Sequence, residues 1–294
     1  MGCTREVGSR GPNGKYLGQD PPGTEARVFA PDVVSTDAHE VMFGFFDDGT
    51  KFFFERTPLD FDADWIHAPV YRAEISDGRW SEPVKSAITG RPWYLDFPDA
   101  PEGTVVVFPW RKNLDGSGPP RDIDVWRVSK GESGWGEPVR LGPPVNVDSF
   151  DSSPALSGSD MLYFFSDRDS GFGGLDLYRA ALGVSRSSEA ENLGRMINTE
   201  FNEHDPAIAP DESYLVYCSN RPGGYGENDL YVSYRTPEGE WTAPSNLGER
   251  VNTAGDDTRP NLTADGKYLF FNSTVSGSRD IYWVDSRIIE ELRP

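Results

Sequence analysis

Short apolar runs closed off by polar turns dominate the chain. "KFFFE" (51–55), "YLVYC" (214–218) and "YLFFN" (268–272) are too short for helices, and Gly, Asp or Ser stands close to each. Runs of this length, rich in aromatic and β-branched residues, predict buried strands. Turns such as "DDGT" (47–50) and "ADGK" (264–267) precede two of them, with Asp and Gly supplying the positive φ of a tight hairpin. After each run comes a loop and then a strand opening on Asp-Leu-Tyr or a close variant, at 176–178, 229–231 and 280–282. The pattern is written more than once: "SNRPGGYGENDLYVSY" (219–234) nearly doubles "SDRDSGFGGLDLYRA" (166–180).

Self-similarity at a fixed period decides the architecture before any single element does. Trp-x-x-Pro occurs at Trp80/Pro83, Trp135/Pro138 and Trp241/Pro244, and Ser187/Ala190 fill the same slots in the remaining gap, giving a period of 52 to 55 residues. One period before Trp80 lie Val28 and Pro31. A second marker follows four of these: "VSTDAHEVMF" (34–43), "VNVDSFDSSP" (145–154), "INTEFNEHDP" (197–206) and "VNTAGDDTRP" (251–260). Each unit reads as four antiparallel strands, whose two apolar faces can be buried only by stacking units around an axis. The prediction is an all-β, five-bladed β-propeller spanning 24–294. Its blades lie near 37–84, 85–140, 148–192, 200–246 and 255–285, and strand 25–31 from the N-terminal end completes the last blade and covers its open edge. Residues 1–23, rich in Gly and Pro, read as a flexible tether.

Charge narrows the partners. The net charge is −20, with 48 acidic residues against 28 basic. Such a surface repels nucleic acid and anionic membranes and suits a soluble monomer that attracts cations. No apolar run approaches a membrane span. Cys3 in "MGCTREV" reads either as the acylated cysteine of a bacterial lipoprotein or as an incidental thiol. The other cysteine, Cys218, sits in an apolar run and reads as a core thiol.

The segments "SNRPGGYGENDLYVS", "WTAPSNLGERVNT" and "DDTRPNLTADGKYLFFNS" resemble the TolB-like, WD-repeat-like β-propeller repeats of bacterial envelope proteins. The opening "YLGQDPPG…FAP…VST" is similar to exported members in which one propeller is nearly the whole protein. The likeness covers about residues 16–285 and is weakest in blade two. It implies a non-enzymatic binding or scaffold protein in the periplasm or anchored at the outer membrane, with a protein or glycan partner.

Candidate chemistry falls in loops that a propeller gathers on one face. Asp151, Glu203 and Asp257 stand three residues before a Pro, Glu40 shares their register, and Asp96 is the nearest counterpart in blade two. Such carboxylates at a channel mouth could hold a divalent cation such as Ca2+, or act as the acidic pair of a glycoside hydrolase, or be engaged by their own loops. Arg56, Arg111, Arg168 and Arg221 recur after the second strand, with Asp124, Asp176, Asp229 and Asp280 opening the third, which implies Arg–carboxylate ties, and the four arginines are also candidates for binding a phosphate or sugar-acid ligand. The longer loop of blade one carries Asp64, Trp65 and His67, candidates for ligand contact. His39 and His204 lie in corresponding loops and are candidate metal ligands.

Overall fold

The computed structural model describes residues 13–46, 49–60, 68–85, 104–110, 123–182 and 189–294. These form five small antiparallel sheets arranged as a β-propeller. Blade three comprises Asp151–Leu156, Met161–Ser166, Asp176–Ala181 and Glu191–Asn192, and blade four comprises Glu203–Ile208, Tyr214–Ser219, Asp229–Tyr234 and Ser245–Asn246. In blade one, His39–Phe46, Lys51–Thr57 and Val70–Ser76 are followed by two short strands, Arg79–Trp80 and Val84–Lys85, that both pair with the third. Blade two shows Val105–Trp110, Asp124–Gly131 and Val139–Arg140. The segment expected to form its inner strand lies outside the described residues.

Blade five is built from both ends of the chain. Thr258–Leu262, Tyr268–Ser273 and Asp280–Asp285 are joined by Arg27–Val28, with Arg27 opposite Trp283 and Val28 opposite Tyr282. The Phe29 amide then donates to the Ile281 carbonyl (2.7 Å), as the Leu247 amide donates to Leu230 in blade four (3.0 Å). Val28 therefore answers to Asn246, not to the Trp slot that the period assigned it. Residues 13–23, which the sequence assigned to a flexible tether, instead include a segment packed on the closing junction. Leu17 is buried, the Trp80 indole donates to the Gly14 carbonyl (2.7 Å), and Tyr16 packs edge-on against Phe45 and Tyr268.

The core is divided into five clusters, one at each contact between neighbouring blades. The one joining blades five and one is the most aromatic: Phe29 is fully buried among Phe45, Phe52, Phe270 and Trp283 at centroid distances of 5.2–5.8 Å. Edge-to-face contacts of this kind add to the area they bury. The recurring Asn of the second marker also has a local cause. Asn146, Asn198 and Asn252 are buried, and each uses its side-chain amide to receive and return hydrogen bonds with the third strand, at Val125, Leu177 and Leu230. In blade five the Ser35 hydroxyl takes this place against Ile281.

Candidate functional site

The four described carboxylates, Glu40, Asp151, Glu203 and Asp257, are all fully buried at the start of an inner strand. Each is bonded into the loop before it. Glu40 accepts from the Thr36 amide (3.2 Å) and hydroxyl (2.6 Å), and Glu203 accepts from the Thr199 amide (2.7 Å) and hydroxyl (2.8 Å). Thr253 serves Asp257 in the same way, and Asp151 takes the Val147 amide and the Ser149 hydroxyl.

The recurring arginines complete three of these ties. Arg56 donates to Glu40 (2.8 Å), Arg168 to Asp151 (2.8 Å) and Arg221 to Glu203 (3.0 Å). The guanidinium also reaches backbone carbonyls of the preceding loop, at Val33 and Val34, at Pro144 and Val145, and at Ile197. It lies over the Tyr of the third strand, at 5.2 Å from Tyr71, 4.5 Å from Tyr178 and 4.8 Å from Tyr231. Blade five has Val275 in the arginine slot, so its tie is made without that cation. Burial raises the pKa of Asp257 against its bonds from Ser273 and Thr253, and burial likewise raises Glu40 against Thr36 and Arg56.

The arginines thus pair with the inner-strand acids, not with the aspartates of the third strand. Asp176 and Asp229 instead accept backbone amides of the glycine-rich loops, from Phe172 and Gly173 and from Tyr225 and Gly226. A Cβ on Gly224 would stand 1.8 Å from an Asp229 oxygen, which explains glycine there. Asp124 is held by both arms of Arg140 at 2.6 Å, and Asp280 accepts the Ser276 and Ser278 hydroxyls. Asp64, Trp65, His67, Asp96, Arg111 and Cys3 lie outside the described residues.

One or two residues further along the inner strands the blades differ. Each inner strand of blades three to five carries a bulge whose extra residue is in the left-handed region: Ser153 (φ 47°), Asp205 (φ 49°) and Arg259 (φ 54°). A non-glycine residue there is strained, and such strain gathers at functional positions. The Ser153 hydroxyl donates to Asp205 across the blade boundary (2.5 Å), and the other Asp205 oxygen lies 3.2 Å from His204 Nδ1. His204 Nε2 meets the Asn228 oxygen (3.2 Å), the Asn228 amide donates to Asp256 (2.7 Å), and Arg279 pairs with Asp256 (3.0 Å). The Arg279 amide donates to His39 Nδ1 (3.0 Å), so His39 joins the far end of this chain of bonds and not the side of His204.

Burial would raise the Asp205 pKa, but His204 and Arg259 outweigh it and hold the carboxyl well below its usual range. Burial would lower the His204 pKa, but Asp205 outweighs it and raises the imidazole. Glu55, from blade one, is pushed up to about 7 by its surroundings, with Arg259 opposing. Ser153, His204 and Asp205 have the residue types of a hydrolytic triad but not its connectivity. The hydroxyl bonds the carboxylate, and among the described residues no imidazole is placed to take its proton. Sequence reading missed Asp205, Arg259 and Glu55. The pre-proline residues 153, 205 and 259 share a slot but no residue type, so repetition did not draw attention to them.

No protein-family model matches the chain, and no curated protein matches it in sequence. Solved propellers are similar in fold. TolB of Acinetobacter baumannii is 12% identical, with 85% of this chain and 55% of that chain covered and a TM-score of 0.45. An α-L-arabinofuranosidase of Lactobacillus brevis is 11% identical over 85% of this chain and 90% of that one, with a TM-score of 0.47. A GH43 endo-arabinanase of Bacillus licheniformis is 12% identical over 90% of this chain and 96% of that one, with a TM-score of 0.45. This chain thus spans about half of the Acinetobacter protein.

Proposed function

We propose that this propeller is a non-enzymatic binding module of a bacterial cell envelope. It would offer the face bearing its acid-tied loops to a protein or glycan partner. One observation carries the reading: the recurring carboxylates are buried and engaged by the loops they brace, so the repeat builds a firm platform instead of a reacting pair. A cation such as Ca2+ at these acids would have to displace the bonds they already make. The loops themselves carry exposed apolar side chains, Leu59, Tyr225 and Val275, among exposed Asp60, Asp148, Asp167, Asp169, Glu200 and Glu227. Exposed apolar side chains set among polar ones suit a binding surface. The envelope placement rests on the sequence resemblance and on Cys3. Among the described residues no helix is long and apolar enough to cross a membrane.

The test combines a glycan array with a panel of hydrolysis substrates. The expected result is binding without turnover, with binding reduced in a Leu59→Ser, Tyr225→Ser, Val275→Ser variant that melts like the parent. Turnover by the parent, lost in a folded Asp151→Asn, Glu203→Gln variant, would sink the reading. The glycoside hydrolase alternative has one observation in its favour. Arg259 acts electrostatically on both Glu55 and Asp205, whose pKa values are pushed in opposite directions, as a general acid and an ionised partner require. Turnover abolished by Glu55→Gln alone would establish that alternative.

A further inference from the structure

Blade four departs from its neighbours at three slots that meet in space. Its inner strand has His204 and Asp205 where blade three has Ser152 and Ser153 and blade five has Thr258 and Arg259. Directly across from His204 on the second strand is Cys218, where the sister positions are Phe165 and Asn272. Opposed residues of an antiparallel pair share a face. The bulge then turns the next residue, Asp205, to the same side. As a result a His nitrogen, a carboxylate oxygen and the Cys218 sulfur all lie within 4.8 Å of one another.

The surrounding bonds set the protonation of this group. Asn228 directs its amide nitrogen to Asp256, so its oxygen faces His204 and His204 Nε2 must be the donor. That leaves Nδ1 pointing at an Asp205 oxygen 3.2 Å away. A bare lone pair facing a carboxylate is repulsive, so a cation must lie between them, either a proton or a metal ion. Ser153 meanwhile holds the other Asp205 oxygen. Both groups have the outer hydrogen bond that fixes a metal-binding histidine or carboxylate in place.

We propose that His204 Nδ1, Asp205 Oδ2 and Cys218 Sγ form a site for a borderline-soft divalent ion of the Zn2+ class, with its remaining position open. Mixed nitrogen, sulfur and oxygen ligation suits Zn2+ or Co2+ and not Ca2+. With bonds of about 2.0–2.3 Å such an ion holds its ligands roughly 3.5 Å apart, so the sulfur moves in by about 1 Å. Loading is an exchange that conserves charge. The ion displaces one proton from the imidazolium and one from the thiol, and the site stays neutral overall.

The experiment uses the full chain carrying Cys3→Ser, which removes the second thiol, and titrates it with Co2+ and then Zn2+. A thiolate-to-cobalt charge-transfer band that Zn2+ removes is expected, along with a higher melting temperature and proton release in calorimetry run in two buffers. Cys218→Ser should abolish the band, His204→Gln and Asp205→Asn should weaken binding at least tenfold, and His39→Gln should leave it unchanged. Absence of the band in folded protein, or equal affinity in a folded Cys218→Ser variant, would overturn the site. If Cys218→Ser does not fold, the slowing of Cys218 alkylation by Zn2+ in the unsubstituted site decides. No slowing would overturn the proposal.

Discussion

Two layers of the same strands behave in opposite ways. At the start of each described inner strand the acid, its hydroxyl partner and its backbone amide recur from blade to blade, and three of these four ties add an arginine stacked on tyrosine. One or two residues further along, at the bulge, Ser, Asp and Arg take the same strained backbone with unrelated side chains. A tie that recurs serves something every blade needs, which is to hold its loop. The bulge residues instead interact across blades, Ser153 with Asp205 by a hydrogen bond and Asp205 with Arg259 electrostatically, so they answer to their neighbours around the ring more than to their own blade. Repetition therefore marks the frame, and departure from it marks the positions available for chemistry.

The comparison can be broken most severely at a tie. Glu203→Ala leaves Arg221 without its buried partner and should cost about 3–5 kcal/mol. In a thermal melt that is a fall on the order of 10 °C. A loss under about 1 kcal/mol would show that the tie does not brace the loop.

Acidity probes the inner layer. Glu55 has a folded pKa of about 7 against an ordinary 4.5. The folded state then holds a proton that the unfolded chain has released between those values. Its contribution is fully present below about 4.5 and is lost as the pH rises to about 7. Glu55→Gln should flatten the fall in melting temperature across that window, and an unchanged slope would remove Glu55 from the account.

A smaller gain should follow from repairing the one incomplete tie. Val275→Arg places a guanidinium in the slot of Arg221, within reach of Asp257 and Tyr282, and should add about 1 kcal/mol. Denaturant titration would read it as a higher midpoint with an unchanged slope. Least of all, Leu59→Ser should leave stability within about 0.5 kcal/mol, because its side chain is 56% exposed.

The strand pattern and the period made the frame legible, including the ring of five and the completion of the last blade by Arg27–Val28. Hairpin turns, aromatic runs and the two markers each repeat, and a repeat is visible without coordinates. The pairing of Arg with the inner-strand acid instead of the third-strand Asp was not legible. Both acids recur near the arginine, the inner-strand acid 16 to 18 residues before it and the third-strand Asp after it, and only the path of the loop tells them apart. The meeting of His204, Asp205 and Cys218 was hidden for another reason. It depends on cross-strand register shifted by a bulge, and one residue of slip reverses which side chains share a face. His39 and His204 lie in corresponding loops, yet Arg279, Asp256 and Asn228 stand between them.

The seam in blade five bears on the order of assembly. The Ser35–Ile281 bonds close a loop of 246 residues. During synthesis the segment around Phe29 leaves the ribosome long before its partners exist. Blades three and four, each a single stretch of chain, can form as they emerge. The aromatic cluster around Phe29 must wait for Phe270 and Trp283. The seam thus cannot set until the last strand has been made, and the ring is fastened by a segment that precedes the strands of every blade.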